Sequence, residues 1–235
     1  MRTVTDRART LVSPTGVSVR LRQFLAPLVA AVGLIATAVP TASAAAPTGL
    51  RITVTTECSA DFQHSDSRLG PAQLPNAGPV GIQLIGYFRT GLVSEQQFLA
   101  TYYDSAAGSW KYPPSDGYLL MPDGTPIEND TTLRPGQNID RYGSEYGSFL
   151  APEGLPYATR SIPPSSLDGN PAAGCNYHDY RVLKSFKVHS GPIAPWFGQP
   201  GLGLQYQLDA ALVPDAPSRI NVGWLVDNGY LARLV

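Results

Sequence analysis

The sequence predicts an α+β fold: a compact, mainly β single domain with a few short helices and an N-terminal arm. Three observations carry that prediction. Tyr180 to His189, "YRVLKSFKVH", alternates with period two, the mark of a half-buried strand. The 23 glycines and 22 prolines recur at short intervals, so turns set the shape more than long elements do. Only one segment, Ser94 to Tyr103, "SEQQFLATYY", reads as a clear helix.

The first 44 residues read as a secretory signal peptide rather than as part of the fold. Arg20 and Arg22 precede an apolar run from Phe24 to Val39, and Pro40-Thr41-Ala42-Ser43-Ala44 supplies a small-residue cleavage site. The run contains a proline and is followed at once by small residues, so it makes a poor membrane anchor. The remaining 191 residues suit one domain, divided into an arm over 45–84 and a main body over 85–235. After position 44 there are 12 basic and 17 acidic residues, a net charge of −5. A net acidic chain without a basic run is a poor nucleic-acid binder. No second apolar span of about 20 residues follows, so a soluble, secreted protein with no membrane contact after signal cleavage is expected.

Within the arm, Leu50 to Thr56 alternates apolar and β-branched residues and predicts a first strand ending near Cys58. Residues 59–80 are polar with Pro and Gly, which predicts a long loop. In the helix, Ser94 can cap with Gln97 three residues on, and Phe98, Leu99 and Tyr102 share one side. Residues 104–138 are broken by Gly and Pro, with a tight turn at Asp123-Gly124 and a glycosylation sequon at Asn129-Asp130-Thr131. Further strands are expected at Ile139–Tyr142, Ser148–Leu150 and Leu202–Leu208, with a helical turn at Leu155–Arg160. The end reads as a short helix or strand, a turn at Asn228-Gly229, and a final strand. Cys58 and Cys175 are the only cysteines, so a secreted chain allows one intramolecular disulfide between them.

Metal motifs, a P-loop and a nucleophile elbow are absent from the sequence. "GQPGLG" at 198–203 follows Pro-Trp-Phe rather than a strand, so a dinucleotide-binding turn is rejected. What stands out is a pair of arginines, Arg141 and Arg160, among Tyr142, Tyr146, Phe149 and Tyr157 in a Gly/Pro-rich stretch. With 15% charged residues overall, such arginines suggest a site for a flat, anionic ligand. A second stretch sets Gln199 and Gln205 on a glycine-rich turn leading into a strand. Each reading has a structural counterpart. The arginines can pair with Asp140 or Glu153, Tyr142 and Phe149 can be core aromatics, Gln205 an ordinary strand residue, and His178 a structural histidine.

The segments "RPGQNIDRYGSEYGSFLAPEGLPYATRSIPP", "YHDYRVLKSFKV", "GPIAPWFGQPGLGLQYQL" and "VGWLVDNGYLARL" resemble, in order, the tuberculosis necrotizing toxin domain family. That family comprises secreted NAD glycohydrolases of actinobacteria and filamentous fungi, and the resemblance spans about residues 85–235. It implies hydrolysis of NAD, or NADP, to nicotinamide and the ADP-ribose product. It carries catalytic roles to Arg141, Arg160 and Gln205, and substrate-binding roles to Tyr142, Phe149, Gln199 and His178. The family needs no cofactor or metal for the chemistry. Some fungal members bind calcium near the C-terminus, but Asp209, Asp215 and Asp227 stand singly here. Fungal relatives form homodimers, and an immunity protein inside the producing cell is the other partner expected besides NAD.

The residues fit that chemistry. Arginine forks bind phosphate oxygens bidentately, which suits a pyrophosphate. The leaving group of NAD is already a cationic pyridinium, so one of the two carboxylates that most glycosidases use is unnecessary. A glutamine that orients the ribose can then suffice, with Glu145 as a weaker candidate for stabilising positive charge. Two competing enzyme readings use the same residues. A mono-ADP-ribosyltransferase would depend on Glu145, and a ribonuclease on His178, Glu145 and Arg141. A secreted binding domain without turnover is the non-enzymatic alternative.

Overall fold

The computed structural model describes residues 53–234, so the signal peptide expected at 1–44 lies outside the described residues. Its centre is a seven-stranded sheet in which every neighbouring pair is antiparallel. The elements in chain order are α1 (Gly78–Gln83), α2 (Glu95–Tyr102), β1 (Tyr103–Asp104), β2 (Ser109–Trp110), β3 (Asn129–Leu133) and β4 (Asn138–Tyr142). β5 (Phe149–Pro152), β6 (Tyr177–Val182), β7 (Phe186–Pro192), β8 (Leu204–Gln207), α3 (Val222–Asp227) and β9 (Leu231–Arg233) follow. The large sheet runs β3-β7-β8-β5-β4-β6-β9, while β1 and β2 form a separate small ribbon.

The expected helix forms. Ser94 caps α2, and Ser94 and Gln97 make the reciprocal capping box that their spacing suggests. The expected turn at 155–160 appears as a 3-10 helix over Tyr157–Arg160. The chain also ends as read, with α3, a turn at Asn228-Gly229 where Gly229 takes φ 69°, and β9.

Two local expectations are corrected. Tyr180–His189 is two strands, not one. The chain breaks at 183–185, where Leu183 N–H donates to the Tyr230 carbonyl, and β6 and β7 then lie far apart in strand order. Period-two alternation reports which face is buried, and both halves bury the same kind of side chain, so it cannot reveal a bend between them. The described part of the first strand, residues 53–56, has no regular structure. The β1–β2 ribbon, β3 and α1 were not foreseen. β3 is an edge strand that buries only Leu133, so it lacks alternation. α1 is short and holds a proline in its first turn.

One core packs under the sheet. It joins Ile139, Leu150, Tyr180, Val182, Val188 and Tyr206 to Val222 and Leu225 of α3. A second cluster gathers Val80, Tyr142, Tyr157 and Leu167 around the Cys58–Cys175 disulfide, whose Cα atoms are 5.2 Å apart across 117 residues of sequence. The disulfide and this cluster fasten the arm to the main body, and that position brings Gln83 of α1 to the functional site.

Candidate active site

A cavity of about 650 Å³ opens where β4, β5 and β8 meet the 112–117 and 219–220 segments. Arg141, Tyr142, Phe149, Arg160 and Gln205 all line it. Five of the seven residues singled out from sequence are thus brought together from four parts of the chain. The β5–β8 and β7–β8 pairings do this by setting Phe149 opposite Gln207 and Gly191 opposite Gln205.

Arg141 is held from behind by its own loop. Its Nε donates to the Ser144 carbonyl and its Nη1 to the Phe149 carbonyl, both at 2.7 Å. Nη2 has no partner among the described residues. No carboxylate there lies within 4.0 Å of it, so the pairing with Asp140 or Glu153 that the sequence allows does not form at Arg141. Burial pulls its pKa below the usual arginine value, with Tyr180 and Tyr112 opposing weakly. A half-buried cation with polar partners but no counter-charge is a site for an anion. Gly147 makes the arrangement possible. A Cβ there would fall inside the guanidinium and lie 2.7 Å from Nη1. Backbone bonds from Val222 N to Gly147 O and from Gly223 N to Glu145 O tie the loop to the start of α3.

Arg160 is differently placed. It is buried and forms a bidentate pair with Asp140, at 2.6 and 2.7 Å. It also donates to Gln83 Oε1 and the Leu155 carbonyl. Asp140, fully buried, accepts in addition from Tyr177 Oη and Gly154 N–H. Arg160 therefore lines the cavity with its charge already matched. Tyr142 packs edge-on against Tyr157 and tilted against Tyr177, with the Arg160 guanidinium 5.2 Å from its ring centre. That ring belongs to the core. Phe149 is half-buried with its side chain on the cavity wall.

The two glutamines separate. Gln205 Nε2 donates to the Asp116 carbonyl at 3.0 Å, and its Oε1 has no donor among the described residues. Gln199 donates to the carbonyls of Phe88 and Phe197 and does not line the cavity; it pins the 193–203 turn to the segment before α2. His178 also lies elsewhere. It lines a neighbouring cavity of about 970 Å³ with Glu145, Asp168, Trp224 and Arg233. Burial lowers its pKa, and Glu145 opposes. Glu145 accepts from Tyr180 Oη at 2.9 Å and pairs with Arg233. The ion pair first, with the Tyr180 hydrogen bond, holds its pKa below the carboxylate norm.

Sequence reading missed three charged or aromatic lining residues, Tyr112, Asp116 and Arg219. Tyr146 is 89% exposed and lines both cavities, and Tyr112 is 61% exposed. Arg219 is exposed, and no carboxylate lies within 4.0 Å of it among the described residues. Only Tyr146 was noted among the aromatics, and it was given no role. The others sit outside the arginine-bearing motif at 134–164 and the glutamine-bearing motif at 191–208. Among the described residues, no group of three His, Cys, Asp or Glu could hold a metal ion.

An aromatic-rimmed cavity with a fixed amide and two arginines lacking a carboxylate partner, Arg141 and Arg219, on a mainly antiparallel sheet suits a flat anionic ligand. The comparisons narrow this class. The tuberculosis necrotizing toxin family matches residues 132–234. The conidial surface nicotinamide adenine dinucleotide glycohydrolase of Aspergillus fumigatus is 44% identical over 174 residues, covering 72% of this chain and 69% of that protein. The chain belongs to the tuberculosis necrotizing toxin family. A solved structure of tuberculosis necrotizing toxin complexed with its immunity factor aligns over 73% of this chain and 79% of that one, at 17% identity and a TM-score of 0.45.

Proposed function

We propose that this chain is a secreted NAD glycohydrolase, cleaving the bond between nicotinamide and ribose and releasing ADP-ribose. The observation that carries the reading is Arg141, a half-buried cation without a carboxylate, facing the same cavity as Gln205. Family membership and the fungal glycohydrolase at 44% identity support it.

Arg141 receives the pyrophosphate, with Arg219 reaching it from the rim. The bidentate charge-assisted geometry suits Arg141, whose remaining Nη2 donors are unspent. Arg160 shapes the wall through Asp140 rather than neutralising phosphate. Phe149, Tyr112 and Tyr146 offer ring faces to the nicotinamide or adenine. Gln205 orients the ribose hydroxyls through Oε1 while Asp116 O holds its Nε2. Cleavage needs no proton on the leaving group, because the pyridinium departs as neutral nicotinamide. NADP is a further substrate in this reading, with Arg219 the available partner for its extra phosphate. The basic and apolar leader at 1–44 and the disulfide support secretion.

The transferase alternative loses its carboxylate here. Glu145 faces the neighbouring cavity and is engaged by Arg233 and Tyr180. The test is to incubate the purified chain with NAD and separate the products. Free ADP-ribose and nicotinamide in equal amounts support hydrolysis, label on protein supports transfer, and unchanged NAD refutes both. Gln205→Ala should lower turnover by about 10²-fold or more while ADP-ribose still binds; near-normal turnover would remove Gln205 from the mechanism.

A further inference from the structure

We infer that Asp116 is a catalytic carboxylate of this site, stabilising the positive charge that develops on the ribose as the nicotinamide bond breaks. The inference rests on the glycohydrolase reading and supplies the acidic group that Gln205 alone does not.

The charged lining of the cavity consists of Asp116, Arg141, Arg160 and Arg219. Asp140, in the small recess behind it, is consumed by Arg160, Tyr177 and Gly154. Glu145 belongs to the neighbouring cavity. Asp116 is therefore the carboxylate of this lining. It is exposed at the rim, where the cavity adjoins a recess lined by Glu128, His189 and Asp209, and its oxygens accept from no donor among the described residues. A carboxylate left unmatched beside a cavity of cations is free to face a cation in the ligand. The reacting ribose is the part of NAD that becomes one.

The backbone around Asp116 is built to hold it. Ser115, Asp116 and Gly117 take φ of 51°, 53° and 81°, three successive residues in the left-handed region. Such residues cost free energy when they are not glycine, and persist where the surroundings over-determine them. Here Gly117 N–H donates to Pro114 O, Tyr118 N–H to Ser115 O, and Leu119 N–H to Pro192 O, while Gly117 O accepts from Ala194 N–H. Those bonds clamp the turn to the end of β7, beside the register pairs Gly191–Gln205 and Pro192–Leu204. The Asp116 carbonyl then accepts from Gln205 Nε2 at 3.0 Å. One residue thus fixes the glutamine with its backbone and carries a carboxylate at the rim of the same cavity.

In the reaction, the C1′–N bond breaks and its electron pair stays on the ring nitrogen, giving neutral nicotinamide. The sugar carries the positive charge against the carboxylate. Water adds at C1′ and loses one proton, which the carboxylate accepts and passes to solvent. A fixed charge in this position supplies preorganised stabilisation, worth about 10²–10³ in rate once the bound substrate excludes water from it.

The test uses Asp116→Asn, since asparagine also tolerates the left-handed conformation, and keeps the backbone bond to Gln205. Turnover of NAD should fall by about 10²-fold, while ADP-ribose, whose ribose is uncharged, binds within about threefold of the parent. Asp116→Gly should lose the same activity while becoming more stable, because the strain is relieved. Turnover of Asp116→Asn within threefold of the parent overturns the inference. So does an equal loss of ADP-ribose binding, which would make the residue a shaper of the cavity only. A parent chain that leaves NAD intact overturns the proposed function instead, so the two failures are distinguishable.

Discussion

Replacing Gly147 with alanine separates the fold from the site. Residue 147 is not in a left-handed conformation, so alanine suits its backbone. The added Cβ would overlap the Arg141 guanidinium and sit 2.7 Å from its Nη1. Backbone cannot yield there, because Gly147 N–H and O are bonded to Ser144 and Val222. The guanidinium is the far end of a flexible side chain and does yield. It leaves the two carbonyls at 2.7 Å and swings toward water. Bonds of a charged group are worth about 1.5–3 kcal/mol each when nothing replaces them, but here water replaces them. The net loss of stability should be about 1 kcal/mol, a fall of ~2–4 °C in thermal midpoint for a domain of this size. The loss of a positioned phosphate partner is larger, about 3 kcal/mol in the transition state, which is ~10²-fold in kcat/KM. The assay is nicotinamide release from NAD beside a thermal melt. Gly174→Ala is the control, since a Cβ there meets nothing within 4 Å. In an Arg141→Ala background, Gly147→Ala should have no further effect on activity. Activity of Gly147→Ala within threefold of the parent would refute the reasoning, as would global unfolding, which would mean that the glycine serves the fold.

Three further outcomes are expected. Asp140→Ala leaves Arg160 as a buried charge without its bidentate partner and should destabilise the chain by about 3–5 kcal/mol in chemical denaturation. The double variant Cys58→Ser, Cys175→Ser should lose about 4–5 kcal/mol, the chain-entropy value for a loop closed across 117 residues. Burial raises the Asp168 pKa to about 6, against a weaker opposing pull from Arg89. A raised carboxylate pKa means that the folded state holds the proton more tightly. Its contribution is present below about pH 4 and is lost as pH rises through 6. Asp168→Asn should therefore flatten the stability profile between pH 4 and 6 and be more stable than the parent at pH 8, by at most ~3 kcal/mol. Equal profiles for parent and variant would reject that assignment.

Legibility differed between fold and site for physical reasons. α2 was readable because its cap, Ser94 with Gln97, is a local hydrogen-bond device three residues long. The Asn228-Gly229 turn and the 3-10 turn before Ser161 were readable on similar grounds. β3 was not, because an edge strand exposes most of its side chains and leaves no periodic trace. The break between β6 and β7 was not either, because Leu183 is held by Tyr230, a partner 47 positions on. At the site, Arg141 and Gln205 lie in stretches whose composition is unusual by itself. Asp116 and Arg219 lie in ordinary loops and reach the cavity only through the fold.

By itself, the sequence determined the fold class, the one possible disulfide and the residue types for a flat anionic ligand, since each depends on composition or local spacing. Only the tertiary structure decided how those residues divide the work. Two arginines nineteen positions apart look equivalent along the chain. One is matched by Asp140 from the same strand that bears the other, and that other is left with backbone carbonyls alone. The glutamines were likewise told apart by what their amides meet, Phe88 in one case and Asp116 beside the cavity in the other. Charge compensation and hydrogen-bond partnership are properties of neighbours in space, and the chain order of these residues does not contain them.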